Sequence, residues 1–321
     1  MSDRPVLVTG AAGFIGSNLV ARLLEDGRRV VGVDDLSSGS LANLAPARER
    51  HAGRFEFDRL DIRQGGLEPL LERLHPEVVF HLAAQVDVRR SVEDPQHDAS
   101  VNVLGTLAVL EAARRTGARK VVYASSIGSY GEPREEELPV DESFDRPALS
   151  PYGVSKRVAM DYLATYGELY DLDWTALTLA NVYGPHQTTA GEGGVVATFA
   201  GRMLAGQPCT IYGDGEQTRD FVFVDDVVHA LVLAAERASR QRLLIGTSQR
   251  TSVLQLYRAL AAATGYPHEP VFAPAREGEI RHSSVDSRLA ARELGWKPWT
   301  TLEEGLAGTL EWASRHTGRS S

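Results

Sequence analysis

Short runs of aliphatic and β-branched residues alternate with longer amphipathic stretches as far as Leu179. Val6–Val8, Val30–Val33, Phe55–Phe57, Val78–Leu82, Lys120–Ala124 and Trp174–Leu179 read as strands. Most are close to continuously apolar, which is the pattern of strands covered on both faces. Between them, Phe14–Asp26, Leu67–Leu74, Pro95–Thr116 and Pro151–Tyr170 carry helical spacing. Strands alternating with helices from the start of the chain predict βαβ units and a doubly wound parallel sheet of Rossmann type. After Leu179 the rhythm changes. Gly184-Pro185 and Gly191-Glu192-Gly193-Gly194 mark irregular connections. Helices are then predicted at Val195–Leu204, at Val227–Glu236 with Asp225 as its cap, and at Leu302–Trp312. Strands are predicted at Cys209–Tyr212, Phe221–Val224 and Leu243–Ile245. The fold class is therefore α/β, with a first unit over 1–180 and a smaller α/β lobe over 181–321 whose segments interleave with the first.

Composition narrows the function. The 321 residues suffice for one large α/β unit or two unequal lobes, and 43% hydrophobic with 24% charged residues is ordinary for a globular chain. A net charge of −9 argues against nucleic acid or an anionic membrane as the main partner. Cys209 is the one cysteine, so neither a disulfide framework nor a cysteine metal cluster is expected. The amino terminus lacks an apolar leader, and no apolar run reaches the ~20 residues of a membrane span. These features predict a cytoplasmic protein without a metal.

Three stretches carry candidate chemistry. Thr9-Gly10-Ala11-Ala12-Gly13-Phe14-Ile15-Gly16 joins the first strand to the first helix. Glycines in that context allow a tight turn, and the helix start receives a pyrophosphate. Asp34 ends the second strand, where a carboxylate accepts from a ribose diol and repels a 2′-phosphate; NAD is predicted over NADP. Asp61-Ile62 and Leu82-Ala83-Ala84, at later strand ends, suit the adenine edge and the cofactor's flank, or plain packing. Ser125-Ser126 ends the fifth strand at the carboxyl edge, where such sheets place ligands. Ser150-Pro151-Tyr152-Gly153-Val154-Ser155-Lys156 then opens a helix, with Ser150 as N-cap and Pro151 in the first turn. Tyr152 and Lys156 stand four residues apart on one face. An ammonium beside a phenol lowers its pKa, so the pair can take a proton from an alcohol; a solvated lysine one turn from a tyrosine has the same spacing.

Taken together, these residues resemble the extended short-chain dehydrogenase/reductases. The resemblance runs through the glycine loop, Asp34, His81-Leu82-Ala83-Ala84, Ser125-Ser126 and Tyr152-x-x-x-Lys156. It continues in Asn181-Val182-Tyr183-Gly184-Pro185, Thr210 to Phe221, Arg276-Glu277-Gly278-Glu279 and Leu294-Gly295-Trp296. It covers nearly the whole chain and is closest to the NAD-dependent nucleotide-sugar epimerases of the UDP-glucose 4-epimerase-like group. The resemblance implies that Tyr152 takes the proton of the sugar C4 hydroxyl, Ser126 relays it, and Lys156 lowers the tyrosine pKa and bonds the nicotinamide ribose. It implies NAD contacts from Gly10, Gly13, Phe14, Ile15, Gly16, Asp34, Ser38, Gly39, Asp61, Ile62, Leu82, Ala83, Ala84, Asn102, Ser125 and Val182. For the UDP-sugar it implies Arg219, Arg276 and Asn181 at the diphosphate, Glu279 at the ribose, Tyr212 beside the uracil, and Val195 and His186 as further contacts. Two helices per subunit, here Pro95–Thr116 and Pro151–Tyr170, would form a homodimer.

Departures from the family pattern sharpen the reading. Dehydratases of the family place Asp-Glu after the strand-five hydroxyl, and the related decarboxylases a Glu; this chain has Ile127-Gly128, which shuttle no proton. His186 stands where many relatives have an Arg near the sugar, Thr178 replaces a common Arg, and Ser283 replaces a bulky Tyr that excludes N-acetyl sugars. The expectation is C4 epimerisation of a UDP-hexose. UDP-glucuronic acid 4-epimerisation is the alternative, followed by UDP-N-acetylhexosamine epimerisation and a non-catalytic NAD-binding regulator.

Overall fold

The computed structural model describes residues 4–188, 194–275 and 280–316. Its centre is a seven-stranded, wholly parallel sheet. The first unit runs β1 (Val6–Thr9), α1 (Phe14–Glu25), β2 (Val30–Asp34), α2 (Leu41–Arg50), β3 (Phe55–Arg59), α3 (Leu67–Leu74) and β4 (Val78–His81). It continues with α4 (Val88–Glu93), α5 (Pro95–Ala99), a π turn (Ser100–Leu104), α6 (Gly105–Arg115), β5 (Lys120–Ser126), α7 (Pro151–Tyr170) and β6 (Asp173–Leu179). Every residue of β1, β2 and β4 is buried, as their apolar runs require.

The later elements are β7 (Asn181–Tyr183), α8 (Val195–Leu204), β8 (Thr210–Tyr212), β9 (Thr218–Arg219), β10 (Phe221–Phe223), α9 (Val224–Ala234) and β11 (Gln241–Ile245). Then come β12 (Thr251–Ser252), α10 (Val253–Thr264), β13 (Val271–Ala273), α11 (Arg288–Leu294) and α12 (Leu302–His316). The sheet order is β11-β6-β5-β4-β1-β2-β3. Strand order therefore reverses between β1 and β4, and the crevice at their carboxyl ends is the topological switch point. β11 returns from the later part of the chain to pair with β6 at the sheet edge, while β7 pairs with β10 in a separate two-stranded sheet.

Several elements add to the sequence reading or refine it, α4 and β7 among them. Leu41–Arg50 is helical despite Pro46, capped by the Ser40 hydroxyl, which accepts from Ala42 N–H. The helix expected over Pro95–Thr116 runs from Pro95 to Arg115 and contains a π turn at Ser100–Leu104, where the Thr106 hydroxyl donates to the Asn102 carbonyl at 2.6 Å. Asp225 does not cap α9. The helix starts straight from β10, and Asp225 and Asp226 stand in its first turn. Asp226 instead accepts from the Trp299 and Thr300 N–H groups and so anchors the approach to α12. Gly191, Glu192 and Gly193 of the expected irregular connection lie outside the described residues.

Candidate active site

The glycine loop is as tight as its residue types imply. Gly10 has φ +70°, and a Cβ there would stand 2.7 Å from the Ala83 nitrogen. The chain after β1 thus packs backbone to backbone against the chain after β4 at the switch point. A Cβ on Gly16 would lie 2.0 Å from the Gly10 carbonyl oxygen, so the turn closes only with hydrogen there. Phe14 and Ile15 form the first turn of α1, whose free N–H groups face the crevice end of the helix. Asp34 is buried, its two oxygens accepting from Ala12 N–H (2.9 Å) and Leu36 N–H (2.8 Å), and burial pushes its pKa up. Gly39 crosses the loop so closely that a Cβ would reach Ala12 carbon at 2.9 Å and Asp34 Oδ1 at 3.0 Å; Ser38 beside it is exposed.

Around this cradle, Leu82, Ala83 and Ala84 are half-buried after β4. Ile62 is buried, and a Cβ on Gly105 would stand 2.7 Å from its Cδ1. Asp61 is gripped by Arg63 through Nε and Nη2, a pairing that lowers the carboxyl pKa. Among the described residues, the buried Ser125 hydroxyl has no hydrogen-bond partner. An orphaned buried hydroxyl at a strand end, beside a cradle that a Cβ would fill, fits a dinucleotide in this crevice.

The chemical end is built by β5 and α7. Ser150 caps α7, its hydroxyl accepting from Gly153 N–H at 3.2 Å, and Pro151 occupies the first turn. Gly153 lets the helix start abut the turn after β5; a Cβ there would lie 2.3 Å from the Gly128 carbonyl oxygen. The Ser126 hydroxyl beside Tyr152 favours the phenolate. Burial outweighs it and pushes the Tyr152 pKa up to about 12. Lys156 is 3% exposed. Its ammonium donates to the Ala124 carbonyl at 2.9 Å and lies 4.8 Å from the centre of the Tyr123 ring, and burial brings its pKa down to about 8. Tyr152 and Lys156 share a helix face, and the bond from the ammonium to the Ala124 carbonyl ties that face to β5.

Other expected residues fall into two groups. Asn181 and Val182 on β7, Val195 at the start of α8, Tyr212 at the end of β8 and Arg219 on β9 are partly or wholly accessible on the later part of the chain. Arg219 Nη1 donates to the Thr218 carbonyl at 2.9 Å. Arg276 and Glu279 lie outside the described residues. His186 and Asn102 are held by protein partners. His186, expected at the substrate, shares a 2.7 Å hydrogen bond with Ser17 of α1, packs against Trp312 of α12, and is pushed by burial to about 4. The Asn102 side chain, expected at the cofactor, holds both backbone groups of Gln85, Asp98 Oδ1 and Ser155 Oγ. Thr178 is fully buried with its hydroxyl toward Met160, a packing role. The sequence reading missed Asp220, a buried carboxylate next to Arg219. It accepts from the Thr247, Ser248 and Val285 N–H groups, and it lies within the Thr210 to Phe221 stretch, where no role was assigned to it.

A doubly wound sheet, a glycine-loop cradle at its switch point and a Ser–Tyr–Lys set at the neighbouring strand end define a dinucleotide-dependent enzyme. The chain belongs to the NAD dependent epimerase/dehydratase family, whose model matches residues 6–246. It is 51% identical over 307 residues to the UDP-glucose 4-epimerase of Mycolicibacterium smegmatis, covering 95% of this chain and 97% of that protein. The crystal structure of a UDP-glucose 4-epimerase from Thermotoga maritima with UDP-glucose superposes with a TM-score of 0.93 at 42% identity, covering 97% of this chain and 99% of that one. The Thermus thermophilus UDP-glucose 4-epimerase in complex with NAD gives a TM-score of 0.89 at 38% identity, with the same coverage. Among the described residues no helix is long and apolar enough to cross a membrane.

Proposed function

We propose that this enzyme interconverts the C4 epimers of a UDP-hexose of the UDP-glucose/UDP-galactose type. The observation that carries the reading is that Ser126 Oγ and the Tyr152 ring flank Gly128 at the carboxyl edge of β5, where the chain continues as Ile127 and Gly128. A Cβ on Gly128 would come to 3.6 Å from Ser126 Oγ and 4.0 Å from Tyr152 Cε1, so a residue beside the reacting pair is one that carries no proton. That suits reversible oxidation and leaves elimination without an acid.

The cradle of Gly10, Gly13, Gly16, Asp34 and Gly39 would hold NAD, which would supply reversible hydride exchange at the sugar carbon. Tyr152 exchanges the proton of the C4 oxygen, and Ser126 orients that oxygen and relays the proton. Lys156 remains mostly protonated at pH 7 and supplies the positive end of the site. Arg219, with Arg276, Asn181 and Glu279, would receive the UDP moiety; Asp220 fixes the backbone on which Arg219 sits. The outer face of the π turn and α7 exposes Leu104, Val154 and Leu169, and supports a homodimer, which light scattering on the purified protein would test. The lone cysteine, Cys209, which is buried, is in keeping with a cytoplasmic location.

Purified protein given UDP-galactose without added reductant should produce UDP-glucose, and should turn over UDP-glucuronate and UDP-N-acetylglucosamine more slowly. No conversion of UDP-galactose would sink the reading; preference for UDP-glucuronate would replace the sugar. Tyr152→Phe should keep its NAD and lose turnover by about 10²-fold or more.

A further inference from the structure

A single chain of hydrogen bonds runs beneath the site through the side chain of His81, the last residue of β4. Ala83 N–H donates to Thr9 Oγ1 at 3.2 Å; Thr9 Oγ1 lies 2.8 Å from His81 Nδ1. On the other side of the ring, His81 Nε2 lies 3.0 Å from Thr106 Oγ1, and the Thr106 hydroxyl donates to the Asn102 carbonyl at 2.6 Å. Both ends fix the direction of the chain. An amide N–H only donates and a carbonyl only accepts, and each hydroxyl has one proton to give. Thr106 spends its proton on Asn102, so Nε2 must carry a proton and donate. Thr9, filled by Ala83, has its proton free for Nδ1. The ring is 1% exposed, and burial with Lys156 across Tyr123 pushes its pKa down to about 3, which excludes the doubly protonated form.

The chain joins the parts on which the proposed chemistry depends. Thr9 immediately precedes the glycine loop, and Ala83 is the backbone that Gly10 approaches. Asn102 sits in the π turn, and its side chain donates to Ser155 of α7 at 3.1 Å, one residue before Lys156. Ser155 in turn donates to the Tyr152 carbonyl at 3.0 Å.

We propose that His81 is a positioning residue: as the neutral tautomer protonated on Nε2, it ties the π turn, and through Asn102 the Tyr152–Lys156 helix, to the glycine-loop end of β1. Its ring is buried and acts through its bonds to Thr9 and Thr106. The kinetic part of its test rests on the epimerase reading; the spectroscopic part does not.

The ring is read directly by long-range proton–nitrogen correlation NMR on the full-length protein labelled at histidine nitrogens, with His81 assigned by its loss in His81→Gln. At pH 7 the expected result is an unprotonated Nδ1 and a protonated Nε2. A proton on Nδ1 overturns the proposal. In the epimerase assay, Thr106→Val cuts the chain while keeping the side-chain shape. It should lower kcat roughly tenfold or more, leave KM for UDP-galactose and the NAD content unchanged, and be rescued by Thr106→Ser. Full activity in Thr106→Val, or a loss that Thr106→Ser does not restore, overturns it. As a second pair, His81→Gln, whose amide both accepts and donates, should retain more turnover than His81→Leu; equal losses overturn the proposal. A wild type that converts no UDP-galactose defeats the functional reading, while the ring spectrum still decides the tautomer.

Discussion

At the scale of single residues, the site is governed by what burial does to two titrating groups on one helix face. Lys156 titrates near 8 in the folded protein, against about 10.4 in an unfolded chain. From pH 8 to 10 the unfolded state therefore binds more protons than the native state, and this group makes stability rise with pH. Tyr152 has the opposite sign. Its native pKa of about 12 means that the folded state keeps a proton the unfolded chain loses, which begins to cost stability above about pH 10. The two windows meet without much overlap. Wild type should therefore gain stability relative to Lys156→Met between pH 8 and 10, by at most about 1.4 kcal/mol per pH unit. Urea unfolding at pH 8, 9 and 10 measures the difference, and a flat difference would show that Lys156 is not desolvated as its geometry requires. Activity should be low in the variant at every pH, since the site has lost its cation.

Elements set how closely these residues can approach, and the glycine loop is the most exacting of them. In Gly16→Ala the new methyl would meet the Gly10 carbonyl at 2.0 Å, against backbone that cannot yield without opening the turn. The variant should lose about 2–3 kcal/mol of stability or more, and should be purified without NAD; a fully loaded, equally stable variant would mean that α1 can slide along β1. Such a loop was legible in the sequence because its constraint is local: strand end, glycine spacing and helix start all lie within one short segment. The buried strands were legible for a similar reason, since a run covered on both faces must be apolar throughout. The departures are tertiary. Leu41–Arg50 hides behind Pro46 and a weakly amphipathic pattern, and its start depends on Ser40 meeting Ala42 N–H. The π turn at Ser100–Leu104 leaves no mark in residue spacing; there Thr106 reaches the Asn102 carbonyl, and the Asn102 side chain is drawn toward Gln85 and Ser155. The partners of Lys156 and His186 were equally invisible, because Ala124 and Ser17 are remote in the chain.

Across the whole molecule, buried neutral histidines make the fold sensitive to acid in a window where carboxylates with lowered pKa values do not act. His81 is held down to about 3 and His186 to about 4, both by burial, while a histidine in the unfolded chain titrates near 6.5. Below pH 6.5 the unfolded chain takes up protons that these rings refuse, so stability falls as pH drops. Paired carboxylates such as Asp61 and Glu111 act later, because their native pKa values lie below the ordinary range of about 4 and their contribution fades only beneath it. Buried carboxylates with raised pKa values, Asp34 and Asp220 among them, have the reverse sign and blunt the total slope. The histidine contribution is therefore best isolated as a difference. His186→Gln keeps a hydrogen-bonding group near Ser17 and removes one titrating ring at the junction of α1, the β7 exit and α12. Wild type should lose stability relative to this variant as pH falls from 6.5 to 4, by at most about 1.4 kcal/mol per pH unit. Chemical denaturation across that range reads the difference. Equal acid sensitivity in the two proteins would place His186 in water, and would return it to the pool of residues available to the sugar.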